Sequence, residues 1–264
     1  PCRQFQILFL QRAGHLGNAW SGDRPPRAGE RPWLAIEADE SDGTVVRYHA
    51  WAGVILNLGR DHKEPAEIAA MFAAFKGQLA GPLVLGEDGN LDALRDGAIT
   101  FGFGPRADVR GADLTLGRDG SRFTVEGVPF AVPTPGRHDA LNALAALAAG
   151  RAAGLPLADM AGPLAAFGGV ARRFQRLGVA NGVEVIDDFA HNPDKLRAAL
   201  ATAAARATRV LAVFQPHGFG PTRFLWDDLI AALAGSLRPA DVLWLAEVYY
   251  AGGTATRDVS SAGL

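Results

Sequence analysis

The first third of the chain alternates short apolar runs with one segment of helical spacing. Residues 33–36, 52–58 and 82–85 are apolar runs of strand length, and residues 65–79 carry apolar side chains at helical intervals after a proline. Short continuous apolar runs are typical of strands that are buried on both faces. A proline suits the first turn of a helix. We therefore predict three buried strands and one helix here, and no element over residues 1–31.

Between residues 99 and 132 the pattern changes to short runs in which apolar and polar residues alternate. Asp119-Gly120 and Glu126-Gly127 separate these runs. Alternation is typical of strands with one solvated face, and an acidic residue followed by glycine favours a tight turn. We therefore predict antiparallel hairpins in this region, followed by an alanine-rich helix over residues 141–153.

The last third of the chain alternates predicted strands with predicted helices. The strands are residues 183–186, 210–214 and 242–245, and the helices are residues 193–205 and 223–234. This order is typical of a parallel, doubly wound sheet. Adjacent glycines at 168 and 169 favour a boundary before this region. The predicted fold class is α/β, with domains at 1–171 and 172–264.

Composition narrows the class of protein but identifies no activity. Of the 264 residues, 48% are hydrophobic and 20% are charged, which is typical of a soluble globular protein. A formal net charge of −2 gives no general attraction to nucleic acid or to an anionic membrane. The single cysteine, Cys2, cannot form an internal disulfide, and no apolar run is long enough to span a bilayer. We expect a cytoplasmic protein, and because residue 1 is proline we expect the chain to be part of a longer one.

Polar clusters follow four of the predicted strands. They are residues 37–42, the pair Asp61 and His62, residues 187–193, and residues 215–217. Open parallel sheets bind ligands at the carboxyl ends of their strands, and carboxylates and neutral imidazoles suit divalent cations. Taken singly, each cluster also fits a solvated loop, a helix cap or a packed histidine. Their shared position favours a binding site.

Six motifs, in their order along the chain, resemble those of the Mur ligases. They are Glu-Ala-Asp-Glu-Ser-Asp from residue 37, Asp-His from 61, Gly-Arg-His-Asp-Ala-Leu-Asn-Ala from 136, Arg-Arg-Phe from 172, Asp-Asp-Phe-Ala-His-Asn-Pro from 187 and Phe-Gln-Pro-His from 214. The resemblance extends from about residue 33 to residue 250 and is strongest to the alanine-adding branch. It implies part of a central P-loop-type ATPase domain, with an antiparallel hairpin region in a parallel sheet, joined to part of a Rossmann-like C-terminal domain.

The resemblance also implies a reaction. Mur ligases use ATP and Mg²⁺ to convert a carboxylate into an acyl phosphate, which the amine of an amino acid then attacks. In the alanine-adding branch the carboxylate is that of UDP-N-acetylmuramate and the amine is that of L-alanine, a step of peptidoglycan synthesis. Two alternatives stay open: a recycling ligase or divergent paralogue with a different acceptor, such as a peptide, and a noncatalytic nucleotide-binding remnant.

Residues that match the family's nucleotide and metal positions can be named from the motifs. By resemblance, Glu37 and His62 are expected to bind magnesium. Asn142 is expected to hydrogen-bond adenine, since an amide donates and accepts at once. Arg173 is expected to contact the nucleotide, and Asp188 to lie near the ribose.

The resemblance places the remaining residues near the reacting groups. His191 and Asn192 are expected to face the phosphoryl group or the substrate, and His217 the amino acid. His191, His217 and Arg173 are the predicted catalytic residues. The alanine-adding enzymes have arginines after the Gln-Pro-His motif, where this chain has glycine and proline, and Arg223 is expected to take their place.

The P-loop of the family, which ends in Gly-Lys followed by Thr or Ser, does not occur in this sequence. None of the three lysines, at 63, 76 and 195, follows the required glycine pattern. The resemblance places this loop before the strand that ends at Glu37. Without a cradle for the β- and γ-phosphates, we predict that these residues alone do not turn over ATP.

Overall fold

The computed structural model describes residues 7–12, 33–38, 40–61, 63–250, 252 and 256–264. Its larger part is built on one eight-stranded sheet in the order β2-β1-β3-β4-β5-β6-β7-β8. The strands are β1 (Ile7–Arg12), β2 (Trp33–Ala38), β3 (Ala52–Ile55), β4 (Leu83–Gly86), β5 (Ile99–Gly102), β6 (Val109–Leu116), β7 (Ser121–Val125) and β8 (Val128–Val132). β1 is antiparallel to both of its neighbours, β3 to β6 are parallel, and β6 to β8 are antiparallel.

The hairpin prediction is right for the second part of its range and wrong for the first. The turns at Asp119-Gly120 and Glu126-Gly127 connect β6, β7 and β8 as antiparallel neighbours. β5 instead pairs in parallel with both β4 and β6. Its four residues, Ile-Thr-Phe-Gly, are mostly buried and follow the pattern of the central strands, so it extends the parallel part of the sheet.

Two hydrophobic clusters cover the two faces of this sheet. Helix α1 (Pro65–Gly77) buries Phe72 and Phe75 against Ile55 on one face. Helix α2 (Arg137–Ala152) buries Leu144 against Val54 on the other. Because adjacent residues of a strand point to opposite faces, β3 must be apolar at every position. The prediction of a strand buried on both faces is therefore confirmed.

Helix α3 (Leu157–Ala165) still belongs to the larger region, since its Leu157 and Leu164 pack against the cluster that includes Leu144. The remaining elements form a smaller α/β region. They are β9 (Gln175–Ala180), β10 (Val183–Asp187), α4 (Pro193–Arg206), β11 (Leu211–Phe214), α5 (Phe219–Phe224), α6 (Trp226–Ser236) and β12 (Val242–Leu245). β9 and β10 form an antiparallel hairpin, whereas β11 and β12 pair in parallel. Among the described strands, β10 and β11 do not pair with each other.

The sequence patterns missed two strands and one α-helix of the described chain and joined two other helices. β1, α3 and β9 were not predicted, and the helix predicted for residues 223–234 is two helices that meet at Leu225. Leu225 leaves helical geometry, with φ −103° and ψ 14°. Its side chain is buried in the core of this region together with Leu196, Phe214, Leu229 and Leu233. The break keeps this apolar side chain in the core.

None of the helices in the described ranges combines the length and the apolar composition that a membrane span needs.

Candidate functional site

The N-terminal end of α2 approaches the C-terminal half of α4 between the two regions. Gly136 precedes α2 with φ 103°, and a Cβ atom there would lie 2.7 Å from Oγ1 of Thr202 on α4. Only glycine combines this positive φ with so close an approach. Asn192 caps α4, since its Oδ1 accepts a hydrogen bond of 2.9 Å from the backbone N–H of Lys195. The motif that begins at 136 therefore lies against α4, the helix that begins at the end of the motif from 187, and this contact forms the junction of the two regions.

A pocket of about 310 Å³ lies at this junction, and we call it the interdomain pocket. Asn142 of α2, Arg173 of the connecting segment and Asp188 after β10 all line it. These are the three residues for which the resemblance implies contacts with the nucleotide. The structure therefore brings together side chains that are separated by up to 46 positions in the sequence. The rest of the lining is largely apolar and includes Val54 of β3.

Two buried polar atoms of the pocket lining are left unsatisfied by the described part of the chain. Nη2 of Arg173 and Oγ1 of Thr134 are buried there without a hydrogen-bond partner. A buried polar group without a partner costs about 1–3 kcal/mol. A polar ligand in the pocket could supply the missing partners, so both atoms fit the binding of a nucleotide.

Asp188 shapes the segment that carries Arg173. One carboxylate oxygen accepts a 2.7 Å hydrogen bond from the backbone N–H of Phe174, and the other accepts one of 2.7 Å from that of Ala190. Arg172 and Phe174 have positive φ values of 61° and 45°, which non-glycine residues rarely adopt. Such strain persists only where the surroundings hold it. The Asp188 carboxylate therefore fixes the position of Arg173 at the edge of the pocket.

A second, larger cavity of about 1170 Å³ lies within the smaller region, and we call it the C-terminal cavity. His191 and His217 both line it, and both rings pack against Phe189, with centroids 5.2 and 6.1 Å away. The ring of Tyr249 stacks on that of His217, with centroids 5.1 Å apart and ring planes at 19°. Asp188 lines both cavities, so it lies where they adjoin.

The contacts of His191 identify which ring nitrogen carries the proton in the neutral ring. Nδ1 lies 2.8 Å from the carbonyl oxygen of Phe189, and a carbonyl only accepts. Nδ1 therefore donates, and Nε2 is an acceptor. Nε2 faces the ammonium group of Lys195 at 3.4 Å. This arrangement leaves the neutral ring with a fixed orientation.

Asn192 and Arg223 have other contacts than those the resemblance implies. The side chain of Asn192 is buried, and its Nδ2 donates a 2.8 Å hydrogen bond to Oδ2 of Asp61. The guanidinium of Arg223 donates to the carboxylate of Asp258 and, over 3.0 Å, to the carbonyl of Thr256. This guanidinium holds the pKa of Asp258 below its ordinary value, chiefly through hydrogen bonding. The substrate roles of Asn192 and Arg223 stay predictions.

The structure describes only one of the two predicted magnesium ligands. Glu37 is exposed near the carboxyl end of β2, whereas His62 lies outside the described residues. The ranges that the structure describes contain no group of three His, Cys, Asp or Glu side chains that could hold a metal ion. The magnesium roles of Glu37 and His62 therefore stay predictions.

Sequence reasoning missed three residues of the site: Thr134, Lys195 and Tyr249. Thr134 stands between two prolines, and Tyr249 lies in a loop after β12 that no motif covered. Lys195 is the only lysine that follows the Asn-Pro start of a helix, and this position just after a ligand-binding motif is the one signal that could have drawn attention to it.

Comparison with known proteins agrees with this arrangement. The family model described as "Mur ligase middle domain" matches residues 34–150, and the one described as "Mur ligase, glutamate ligase domain" matches residues 172–262. UDP-N-acetylmuramate–L-alanine ligase of Agrobacterium fabrum is 36% identical over an alignment that covers 90% of this chain and 55% of that protein. The chain thus spans about half the length of the curated relatives it matches.

Two solved structures show the same fold. UDP-N-acetylmuramate–alanine ligase from Thermotoga maritima has a TM-score of 0.62 at 24% identity, over 81% of this chain and 55% of that one. Folylpolyglutamate synthase from Mycobacterium tuberculosis, solved with ADP and AMPPCP, has a TM-score of 0.58 at 21% identity, over 74% of this chain and 48% of that one. The two domain matches, in family order on either side of the junction, show that this chain belongs to the Mur ligase family.

Proposed function

We propose that the chain forms the nucleotide-binding centre of an ATP-dependent ligase that joins L-alanine to UDP-N-acetylmuramate through an acyl phosphate. The observation that carries this proposal is the interdomain pocket, where Asn142, Arg173 and Asp188 meet. The name of the Agrobacterium fabrum relative and the nucleotides bound to the folylpolyglutamate synthase support it. In this proposal, residues 1–171 belong to the middle domain and residues 172–264 to the C-terminal domain.

Three side chains of the pocket have the chemistry to bind ATP. The amide of Asn142 can donate to and accept from one edge of adenine. Nη2 of Arg173 offers a buried cationic donor to the nucleotide. Asp188 already accepts two backbone hydrogen bonds, and each of its oxygens keeps a further lone pair for a ribose hydroxyl. The pocket therefore suits a ligand with a polar edge and an anionic tail.

The C-terminal cavity is the place proposed for the reacting carboxylate and amine. The carboxylate oxygen forms a bond to the γ-phosphorus of ATP, and the bond from that phosphorus to ADP breaks. The amine then attacks the acyl carbon, phosphate leaves, and the nitrogen loses a proton. The imidazole of His217, stacked on Tyr249 and lining this cavity, can accept that proton, whereas His191 positions the phosphoryl group.

Magnesium would neutralise part of the charge of the phosphates. Glu37 offers a carboxylate oxygen for this purpose and His62 an imidazole nitrogen, and both are ligand types that a divalent cation accepts. We propose these two residues as its ligands on this chain.

Direct binding of ATP to this chain tests the pocket. Arg173→Met should weaken ATP binding by about tenfold to a hundredfold, as expected for a lost hydrogen bond to a charged group. Arg151→Met is the matched control, since Arg151 is an exposed arginine on the far end of α2 and pairs with Glu126. Isothermal calorimetry measures both affinities. Equal affinities of the two variants would contradict the assignment of the pocket.

The protein expressed from its complete gene tests the reaction. We expect ATP-dependent phosphate release with UDP-N-acetylmuramate and L-alanine, and none from these 264 residues alone, because their sequence has no Gly-Lys loop for the phosphates. A ligase with a different acceptor is the second candidate, because the guanidinium of Arg223 is engaged by Asp258 and Thr256. Release with a tripeptide but not with L-alanine would establish the second candidate.

A further inference from the structure

The junction contains a buried ion pair that connects the two regions. Nζ of Lys195, on α4, lies 3.1 Å from Oδ2 of Asp61, in the loop after β3. The side chains are only 10% and 5% exposed. Asn192 donates to the same Oδ2 atom over 2.8 Å. Two groups of the smaller region therefore hold one carboxylate of the larger region, away from solvent.

Neighbouring contacts extend this connection to both sides. Arg60, the residue before Asp61, pairs with Asp228 of α6 at 3.1 Å and covers the ring of Phe224 at 4.3 Å. On the other side, a Cβ atom on Gly59 would lie 2.8 Å from Oδ2 of Asp194. The loop after β3 thus contacts α4 and α6 through three successive residues.

The ion pair lies next to residues that we assign to ATP, to the phosphoryl group and to magnesium. Lys195 lines the interdomain pocket, and its Nζ atom also faces Nε2 of His191 at 3.4 Å. Asp61 directly precedes His62, one of the two proposed magnesium ligands. A movement of α4 relative to the loop after β3 would separate Asn142 from Asp188 and change the pocket.

We infer that Lys195 is a positioning residue, which closes the interdomain pocket by binding the Asp61 carboxylate together with Asn192. A buried carboxylate that loses a cationic partner is strongly destabilised, so the closed arrangement depends on the lysine. Lys195 then acts on ATP through the arrangement of the two regions. This inference rests on the proposed ATP site for its effect on affinity, but its effect on the distance between the two regions is independent of that site.

A distance measurement between the two regions tests the role of Lys195 in the absence of nucleotide. Spin labels on Ala73→Cys of α1 and Ala231→Cys of α6, both exposed, report the separation in a Cys2→Ser background. Lys195→Met should broaden and lengthen the distance distribution, and Lys195→Arg should restore it. Lys76→Met is the matched control, because Nζ of Lys76 binds the carbonyls of Leu94 and Asp96 within the larger region.

The ATP affinities of the same variants, measured beside the distances, distinguish a failure of this inference from a failure of the proposed function. We expect Lys195→Met to bind ATP about tenfold more weakly, because only the closed fraction binds, and Lys195→Arg to bind nearly as the unsubstituted chain does. An unchanged distance distribution in Lys195→Met overturns the inference. If that variant does not fold, the shorter, polar and uncharged Lys195→Gln decides by the same distance criterion. If the distance changes but the unsubstituted chain binds no ATP, the proposed function fails and the positioning role stands.

Discussion

The strands of the two regions of this chain are buried to different degrees. The eight-stranded sheet has helices on both faces, and residues such as Ile55, Val84 and Leu144 are fully buried. In the smaller region, apolar side chains of the strands face solvent, with Val213 76% exposed and Leu177 60% exposed. The larger region therefore has a closed core, whereas the stability of the smaller region depends on one face of its strands and on the junction.

This difference explains where the binding residues lie. The closed core of the larger region fixes the start of α2, and with it Asn142. The smaller region supplies Asp188, His191 and His217 from loops after strands that are held by fewer neighbours. Asn142 is therefore held by a closed core, whereas these groups are held by two-stranded sheets. A ligand between the two regions would add contacts that the smaller region lacks.

The largest expected effect comes from the closed core. Phe72→Ala should lower the free energy of unfolding by about 3–5 kcal/mol, since it removes a fully buried ring between α1 and the sheet. Urea unfolding monitored by circular dichroism measures the change. Leu177→Ala is the matched control, because this side chain of the smaller region is exposed and should change stability little. Similar losses in both variants would contradict the comparison of the two regions.

The closed core is also the part of the fold that the sequence predicted best. Full burial on both faces makes every residue of β3 and β4 apolar, so their pattern could be recognised without tertiary information. β9 was missed because its residues are exposed or half-buried, and its pattern resembles that of a loop. α3 was missed because Pro163 interrupts its helical pattern and none of its residues is fully buried.

The candidate site likewise contains residues that the sequence predicted and residues that it missed. Asn142, Arg173 and Asp188 were named from the motifs that resemble the Mur ligases, and the structure places them in one pocket. Thr134 and Lys195 reach that pocket only through the packing of α2 against α4, which leaves no periodic signal in the sequence. Their roles could be inferred only from burial and distance.

An intermediate effect is expected from the ion pairs that support the smaller region. Arg206 of α4 contacts both carboxylate oxygens of Glu184 on β10, at 2.9 and 3.0 Å, and this contact keeps the pKa of Glu184 below its ordinary value of 4.5. A lowered pKa in the folded state stabilises the protein above pH 4.5, and this stabilisation is lost as the pH falls through the folded-state pKa. The pair therefore contributes at neutral pH and not in strong acid.

Glu184→Gln should accordingly lower the melting temperature near neutral pH, and its difference from the unsubstituted chain should shrink as the pH is lowered below 4.5. Thermal melts across this pH range provide the measurement. Glu247→Gln serves as the control, because Glu247 is exposed in the loop after β12. A difference that stays constant with pH would show that the hydrogen bonds of Glu184, rather than its charge, support the hairpin.

The smallest expected effect is at the exposed face of the smaller region. Val213→Ser on β11 should change the free energy of unfolding by no more than about 0.5 kcal/mol, because most of this side chain is already in water. Val84→Ser on β4 provides the contrast, since it places a hydroxyl in the closed core and should cost several times more. Both variants replace valine with serine in a parallel strand, so strand propensity is matched and burial is the main difference between them. A large loss from Val213→Ser would mean that another part of the protein covers this face in solution, and that the smaller region is as closed as the larger one.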